Sequence, residues 1–254
     1  MKVEVVKIGG ALLADRELLH TFLEEFQRLP ALKILVHGGG NRAGTLCAAL
    51  NLPVEKIDGR RVTTGEVLEV VTMVYAGSLN KQLVADLQAL GVAALGLSGA
   101  DGNLIRAEKR PVKEHDFGFA GDVREVNTIL LKQLLHARLV PVCCAITHDG
   151  KGQLLNTNAD TIAATLATAL ADFAEVQLTY VFDRPGVLTD SSDDTSVLPE
   201  LNHASYEQLR ASGAIHTGML PKLSNCFDAL RRGVAGVRLC NAAGLRAGGT
   251  KILL

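Results

Sequence analysis

The sequence has few cysteines, and no two of them are spaced as C-x-x-C. Five cysteines are present, an odd number that leaves one over from any set of disulfides, and the spacing argues against a zinc site. In a reducing compartment such cysteines behave as small apolar residues, so we interpret all five as core positions. They are Cys47, Cys143, Cys144, Cys226 and Cys240.

Long apolar runs and an excess of charge of one sign are also absent. No apolar run reaches the roughly 18 residues that a membrane-spanning helix needs. Within the first ten residues, two lysines and a glycine pair stand where a signal peptide would have its apolar core. Lysine and arginine (26) nearly balance aspartate and glutamate (27), which gives no support to a nucleic-acid or membrane partner. These absences predict a cytoplasmic protein.

Short β-branched runs alternate with longer helical patterns along the chain. This alternation predicts an α/β fold, a three-layer αβα sandwich with a mostly parallel central sheet and added hairpins. Strands are predicted at 3–8, 33–36, 92–97, 139–145, 176–182, 235–240 and 250–253, with a hairpin at 54–64. Helices are predicted at 15–28, 41–50, 65–90 (interrupted or kinked at Gly77), 127–137, from 158 onward, 203–212 and 221–232.

The first unusual position is Lys7, a cation at the end of an apolar strand and shortly before Gly9 and Gly10. A buried ammonium group needs an anionic partner, and glycines allow a bulky ligand to reach backbone N–H groups. A phosphate satisfies both features. The alternative is a lysine whose aliphatic stem is buried while its ammonium group reaches solvent at the end of the sheet.

A second glycine cluster, H-G-G-G at residues 37–40, follows the next predicted strand. Gly38, Gly40 and Ala43 match the dinucleotide fingerprint G-x-G-x-x-G/A. That match is weak by itself, since a hairpin follows where a Rossmann unit has its second strand with the acidic residue at its end. The cluster therefore indicates a ligand-binding turn without identifying the ligand.

The same cluster also has the glycine spacing of a P-loop. Gly39 and Gly44 are separated by four residues, but Thr45 stands where the P-loop requires lysine, which excludes a Walker-type ATPase. His37 could act as a base. A histidine at a strand end is more often packed and hydrogen-bonded, and this is the interpretation we favour.

Three further residues could carry chemistry. Asp160 falls in the first turn of the helix that begins near Asn158, where a carboxylate also simply complements the helix dipole. Lys222 lies in a predicted first turn, where a cation opposes the dipole, and such broken local rules tend to mark functional sites. Asp183 begins a turn directly after a strand, the place where open α/β sheets bind ligands, although a tight connection would look the same.

The order of these motifs resembles the amino acid kinase family. The matching stretches are K-x-G-G, H-G-G-G, G-R-R-V-T, A-G-x-x-N-K, G-F-x-G-D-V, N-x-N-A-D, D-x-P-G-V-L and G-M-x-x-K, and they run from Lys7 to about Thr250. The resemblance implies ATP-dependent phosphorylation of the side-chain carboxylate of an N-acyl-L-glutamate, the second step of arginine biosynthesis. It also implies the fold of that family, with ATP and Mg²⁺ as the cofactors.

The resemblance further implies roles for individual residues. Lys7 and Lys222 would hold the transferring phosphoryl group, and Asp160 would orient the two lysines. The residues implied to bind the acceptor are Gly39, Gly40, Arg61, Asn156 and Asn158. Those implied to bind ATP are Gly9, Gly10, Asp183, Arg184, Pro185, Gly186, Val187, Leu188, Ala214, Ile215 and His216. Mg²⁺ would be carried on the ATP phosphates, with no metal site built by the protein.

The domain organisation and the oligomeric state are also expectations from the resemblance. Residues 1–170 are predicted to bind the acyl-glutamate and to form a homodimer, and residues 171–254 to bind ATP. Because arginine-inhibited hexamers of the family carry a helix before the first strand and this chain begins at the strand, we expect no arginine feedback.

The acyl group is a separate hypothesis. Arg42 and Arg60 add positive charge near the acceptor motifs, which suggests a larger, acidic acyl group such as succinyl.

Three alternatives remain open at this point. One is another carboxylate or carbamate kinase of the same fold. A second is a dinucleotide-binding oxidoreductase, which rests on the fingerprint at residues 38–43 alone. The third is a sensor of nucleotides or amino acids without catalysis, which does not need both Lys7 and Lys222.

Overall fold

The computed structural model describes residues 1–57, 59–190, 192–211 and 219–254. The chain divides into two compact units. Unit one consists of Met1–Lys33 together with Ala163–Leu254, and unit two consists of Ile34–Ile162. By contacts, the first 33 residues therefore belong with the C-terminal part of the chain. The assignment of acceptor binding to 1–170 and ATP binding to 171–254 stays a prediction.

The elements follow the predicted alternation. The strands of the described residues are β1 (Lys2–Ile8), β2 (Leu32–His37), β3 (Lys56–Ile57), β4 (Arg60–Arg61), β5 (Ala94–Leu97), β6 (Ile105–Lys109), β7 (Gly121–Val126), β8 (Val140–Cys144), β9 (Ile146–His148), β10 (Leu154–Asn156), β11 (Glu175–Val181), β12 (Glu200–Leu201), β13 (Gly236–Cys240) and β14 (Thr250–Ile252). The α-helices in the same ranges are α1 (Gly10–Ala14), α2 (Arg16–Gln27), α3 (Gly40–Ala49), α4 (Gly65–Thr72), α5 (Asn80–Ala89), α6 (Thr128–His136), α7 (Ala159–Ala171), α8 (His203–Ala211) and α9 (Leu220–Arg231).

In unit one the strands are ordered β12-β14-β13-β11-β1. β1, β11 and β13 are parallel, and the last residues of the three strands, Ile8, Val181 and Cys240, are in register. β14 runs antiparallel to β13, which the sequence did not predict. Because the three parallel strands end at one edge, the segments that follow them are brought to the same side of the sheet.

In unit two the strands β2, β8 and β5 form a parallel arrangement in that order. A separate four-stranded sheet, β10-β9-β6-β7, and the hairpin β3-β4 supply the predicted hairpins. The predicted α/β class with mostly parallel strands is therefore confirmed. The interpretation of the cysteines is also confirmed, since all five are buried and none forms a disulfide.

Local sequence explains where α2 begins and why it packs. The side chain of Asp15 caps the helix by accepting hydrogen bonds from the N–H groups of Glu17 and Leu18, both at 3.0 Å. The buried face repeats at helical spacing and consists of Leu19, Phe22, Leu23 and Phe26. The helix predicted at 15–28 is thus confirmed to within one residue at each end.

The single helix predicted at 65–90 is divided into three parts. Between α4 and α5 the backbone forms a π-helix at Met73–Leu79, which includes the Gly77 at which an interruption was predicted. A Cβ built at Gly77 would meet no other atom within 4 Å, so packing does not explain the glycine. π-Helical turns inside α-helices are rare and occur frequently at functional sites.

Candidate active site

The carboxyl edge of the unit-one sheet brings two predicted catalytic lysines to one side. Lys7 on β1 pairs with Tyr180 on β11, and residues paired in this way in parallel strands point to the same face. The Nζ of Lys222, in the first turn of α9, lies 5.2 Å from the centre of the Tyr180 ring, within cation–π range. The structure thus places both lysines next to Tyr180.

The glycine pair that follows β1 lies at this same edge. The Gly9 N–H donates to the carbonyl of Val181 at 3.0 Å, and Gly10 is the first residue of α1. That N–H is therefore engaged by the sheet, contrary to the expectation that it reaches a phosphate directly. A Cβ built at Gly9 would lie 3.5 Å from the Val181 oxygen, an ordinary contact. Packing therefore does not require glycine here, and a close approach of a ligand to Gly9 stays a prediction.

The predicted nucleotide loop after β11 divides into an exposed and a buried part. Asp183 and Arg184 are exposed, and the Arg184 side chain forms an ion pair with Asp194 at 2.7 Å. Gly186 is buried, and a Cβ there would lie 2.6 Å from the hydroxyl oxygen of Thr250. The same hydroxyl accepts from the N–H of the buried Val187 at 2.8 Å. Packing against β14 therefore explains why glycine stands at residue 186 and why Val187 is buried.

The other predicted ATP-binding residues lie in the same loop or outside the described residues. Pro185 and Leu188 are half-buried, and Leu188 forms a β-bridge with Val197 across the loop. Ala214, Ile215 and His216 lie outside the described residues, so their predicted contacts with the nucleotide stay predictions.

In unit two, the turn between β2 and α3 strongly favours glycine at residue 39. Gly39 has φ +153° and ψ 24°, in the region that L side chains rarely adopt. A Cβ there would lie 2.4 Å from Leu79 Cδ1 and 2.9 Å from Tyr75 Cδ1. The π-helix thus packs directly against the turn.

Arg61 also contacts this turn. Its Nη2 donates to the carbonyl of Gly40 at 2.8 Å, and the residue is only 8% exposed. A Cβ built at Gly44 would lie 3.5 Å from the same nitrogen, so the guanidinium group packs on α3. Nη1 is buried and has no hydrogen-bond partner within the described ranges. A buried charged donor in this state gains from an anion such as a carboxylate.

The N-x-N-A-D motif contributes both a hydrogen bond and a helix cap. Asn156 Nδ2 donates to the hydroxyl oxygen of Thr63 at 3.0 Å. Asn158 Oδ1 accepts from the N–H groups of Asp160 and Thr161, at 2.8 and 3.1 Å, and so caps α7. Only the amide nitrogen of Asn158 is left for a substrate. Asp160 lies in the first turn of α7, as predicted.

His37 is a packed residue rather than an exposed base, as the sequence favoured. It is fully buried, its Nδ1 lies 2.8 Å from the carbonyl of Gly38, and its Nε2 lies 3.0 Å from Asn80 Nδ2. A carbonyl only accepts, so Nδ1 carries the proton and Nε2 accepts from the amide. Burial lowers the pKa of His37 to about 4, so the ring is neutral at pH 7.

This burial makes stability depend on pH. The pKa is about 4 in the folded state and near 6.5 in the unfolded state, so the unfolded chain binds the proton more readily. We expect the contribution of neutral His37 to the free energy of unfolding to be complete above pH 6.5. About 3 kcal/mol of it should be lost as the pH falls to 4. Urea unfolding of the wild type and His37→Gln across this range measures the effect. If the free energy of unfolding falls equally with pH in the two proteins, His37 is protonated in the folded state without a loss of stability, and this expectation is wrong.

Sequence reasoning did not single out Tyr75, and it quoted Thr63 and Asn80 only within the motifs G-R-R-V-T and A-G-x-x-N-K. Tyr75 is almost fully buried, at 5% exposure, and contacts the turn between β2 and α3. The one available signal was an aromatic residue four positions before Leu79 on a helix that also contains a glycine. That spacing is equally typical of ordinary core packing, so it could not identify the residue.

Comparisons with known proteins extend over nearly the whole chain. The amino acid kinase family matches residues 2–241. An acetylglutamate kinase of Bacteroides fragilis is 48% identical over 252 residues, covering 99% of this chain and 97% of the relative. An acetylglutamate kinase of Cytophaga hutchinsonii is 45% identical over 245 residues, covering 96% and 93%.

Solved structures agree in fold. The crystal structure of smu.665 from Streptococcus mutans has a TM-score of 0.82 at 26% identity, with 98% of each chain covered. Carbamate kinase from Giardia lamblia has a TM-score of 0.70 at 12% identity, covering 99% of this chain and 98% of the other, which shows the shared fold alone. With a full-length family match and these relatives, the chain belongs to the amino acid kinase family.

Proposed function

We propose that this protein catalyses the ATP-dependent phosphorylation of the side-chain carboxylate of N-acetyl-L-glutamate, the second step of arginine biosynthesis. The observation that carries the proposal is the 48% identity to an acetylglutamate kinase over 99% of the chain. The positions of Lys7 and Lys222 beside Tyr180 support it, since they supply two cations at one edge of a parallel sheet.

The chemistry needs positive charge more than it needs a base. A glutamate side chain is already ionised at pH 7, so no residue has to remove a proton from it. Donor and acceptor are both anionic, and the transition state spreads charge over the oxygens of the transferring group. Lys7 and Lys222 offset this charge, and Asp160 would orient the two lysines. His37 is not needed as a base, since it is buried and both ring nitrogens are engaged.

The acceptor groups in unit two suit the rest of the substrate. Arg61 would pair with the α-carboxylate, and the N–H groups at the start of the ten-residue α3 favour the same negative charge. Gly39 and Gly40 would let the substrate reach the backbone of this turn. Asn156 and Asn158 would donate hydrogen bonds through their amide nitrogens.

Mg²⁺ would enter as part of the MgATP substrate. Within the described ranges, no group of three or more His, Cys, Asp or Glu side chains is arranged to hold a metal ion. A cytoplasmic homodimer belongs to the same proposal, and sedimentation checks the oligomeric state. Among the described residues, no helix is long and apolar enough to cross a membrane.

Two exposed arginines bear on the choice of acyl group. Arg42 in the first turn of α3 and Arg60 on β4 are both exposed, and their charge would suit an acidic acyl group such as succinyl. A coupled ADP-release assay with N-acetyl- and N-succinyl-L-glutamate decides between the two, with hydroxamate trapping to detect the acyl phosphate. A clear preference for the acetyl substrate would end the succinyl hypothesis.

The same assay tests the proposed function against its alternatives. We expect turnover with an N-acyl-L-glutamate and none with carbamate or free L-glutamate, since Arg61 and Asn156 suit an amino-acid-like, acylated acceptor. Turnover of carbamate alone would favour the other kinase class. Fluorescence titration with NADH is expected to show no binding, and saturable NADH binding in place of ATP would favour the oxidoreductase.

A further inference from the structure

Tyr75 occupies an unusual position in unit two. It lies inside the π-helix at Met73–Leu79 and is only 5% exposed. Its ring contacts the turn between β2 and α3 from the side of the helix, together with Leu79 four residues later. The π-helix therefore presents an aromatic residue to the turn that the sequence links to acceptor binding.

The hydroxyl group of Tyr75 points to the polar part of this turn. A Cβ built at Gly40 would lie 3.8 Å from the Tyr75 hydroxyl oxygen. Gly40 is also the residue whose carbonyl accepts from Arg61 Nη2 at 2.8 Å. Tyr75, Gly40 and Arg61 thus form one contact group on unit two.

Tyr75 and Arg61 are linked by their shared contact with Gly40 and by charge. Burial raises the pKa of the Tyr75 phenol, and the nearby positive charge of the Arg61 guanidinium opposes that rise. The phenol is therefore neutral at pH 7, and its oxygen is available to accept a hydrogen bond from the guanidinium group.

The guanidinium group still has unused capacity. Arg61 is nine-tenths buried, and its Nη1 has no hydrogen-bond partner in the described part of the chain. A charged donor left in this state is unfavourable, so a small shift toward an anionic ligand would gain free energy. Direct contact needs that shift, because Nη1 is covered in this structure.

We propose that Tyr75 is a positioning residue for the acceptor, which holds the Arg61 guanidinium against the turn at Gly39 and Gly40. The arginine and the start of α3 then receive the α-carboxylate of the acyl-glutamate together. This inference rests on the proposed function. It assigns to Tyr75 a selectivity for acceptors that carry an α-carboxylate.

Replacing Tyr75 by phenylalanine tests the role, since only the hydroxyl group is removed. We expect KM for the acyl-glutamate to rise about tenfold, the size of one hydrogen bond to a charged group, with kcat and KM for ATP little changed. Tyr206→Phe is the matched control, because Tyr206 is also buried but packs on His203 and Phe227 in unit one. This control variant should leave kcat and both KM values unchanged.

An acceptor analogue separates positioning from general damage to the pocket. N-acetyl-4-aminobutanoate keeps the reacting carboxylate and the acyl group but lacks the α-carboxylate. Its inhibition constant should be the same for the wild type and Tyr75→Phe. An equal weakening of the analogue and the substrate would overturn the inference, because Tyr75 would then act on some other part of the acceptor.

A double-mutant cycle with Arg61→Lys is a second test of the inference. If Tyr75 acts through Arg61, Tyr75→Phe adds no further loss in the Arg61→Lys background. A tenfold loss in both backgrounds contradicts the inference, as does an unchanged KM in the single variant of an active enzyme. A wild type that turns over no acyl-glutamate overturns the proposed function instead, and this inference with it.

Discussion

Replacing Lys222 by alanine is expected to lower kcat by about two to three orders of magnitude, as for the loss of one transition-state donor. The ammonium group lies over Tyr180, beside the position of Lys7, where charge on the transferring phosphoryl group would be largest. Since Lys222 is proposed to act chiefly in the transition state, in which charge is spread over the oxygens of the transferring group, KM for ATP should change little. Steady-state kinetics with both substrates varied measures the two effects separately.

Two controls make this result specific. Lys113→Ala removes an exposed lysine from a loop of unit two and should leave kcat unchanged. Lys222→Arg keeps the positive charge but alters its shape, and partial activity is expected. If Lys222→Ala instead raises KM for ATP with kcat preserved, the lysine only binds the ground-state nucleotide and the proposed role is wrong.

Replacing Gly39 by alanine is expected to disrupt acceptor binding and to destabilise the protein by about 3 kcal/mol, the sum of a strained backbone and an overpacked contact. Gly39 has φ +153°, and the new Cβ would lie 2.4 Å from Leu79 Cδ1. Relief of this overlap would require the Leu79 side chain to change conformation and the Tyr75 ring, 2.9 Å from the new Cβ, to shift. Urea unfolding and KM for the acyl-glutamate measure the two consequences.

Gly91→Ala is the control for placing a side chain at positive φ. Gly91 has φ +75°, and a Cβ there would have no atom within 4 Å, so this variant reports backbone strain without a new contact. If Gly39→Ala is no more destabilising than Gly91→Ala, the packing of the π-helix against the turn is loose and our account of the turn is wrong.

Much of the fold was predictable because it follows from local patterns. The strand at residues 3–8 and the helix at 15–28 were recognisable from apolar periodicity and, for the helix, from the capping Asp15. The first-turn position of Lys222 was also predicted, and it is confirmed by α9 beginning at Leu220. The hairpin β3-β4 followed from turn chemistry at its centre.

Other features depend on residues far apart in the chain and could not be predicted. The engagement of the Gly9 N–H by Val181 depends on which strand neighbours β1. The π-helix at Met73–Leu79 has no recognised sequence signal, and only its interruption near Gly77 was visible. The contact of Tyr75 with Gly39 and Gly40 joins residues about 35 positions apart.

By itself the sequence determined the α/β class, the positions of most helices and strands, and the family, because periodicity, caps and ordered motifs are properties of neighbouring residues. Only the tertiary structure decided which polar groups are already engaged, such as the N–H of Gly9 as a donor and the side-chain oxygen of Asn158 as an acceptor. It also decided that Tyr75 and Arg61 meet at one turn, since hydrogen bonding and steric exclusion depend on distances in space that spacing along the chain does not contain.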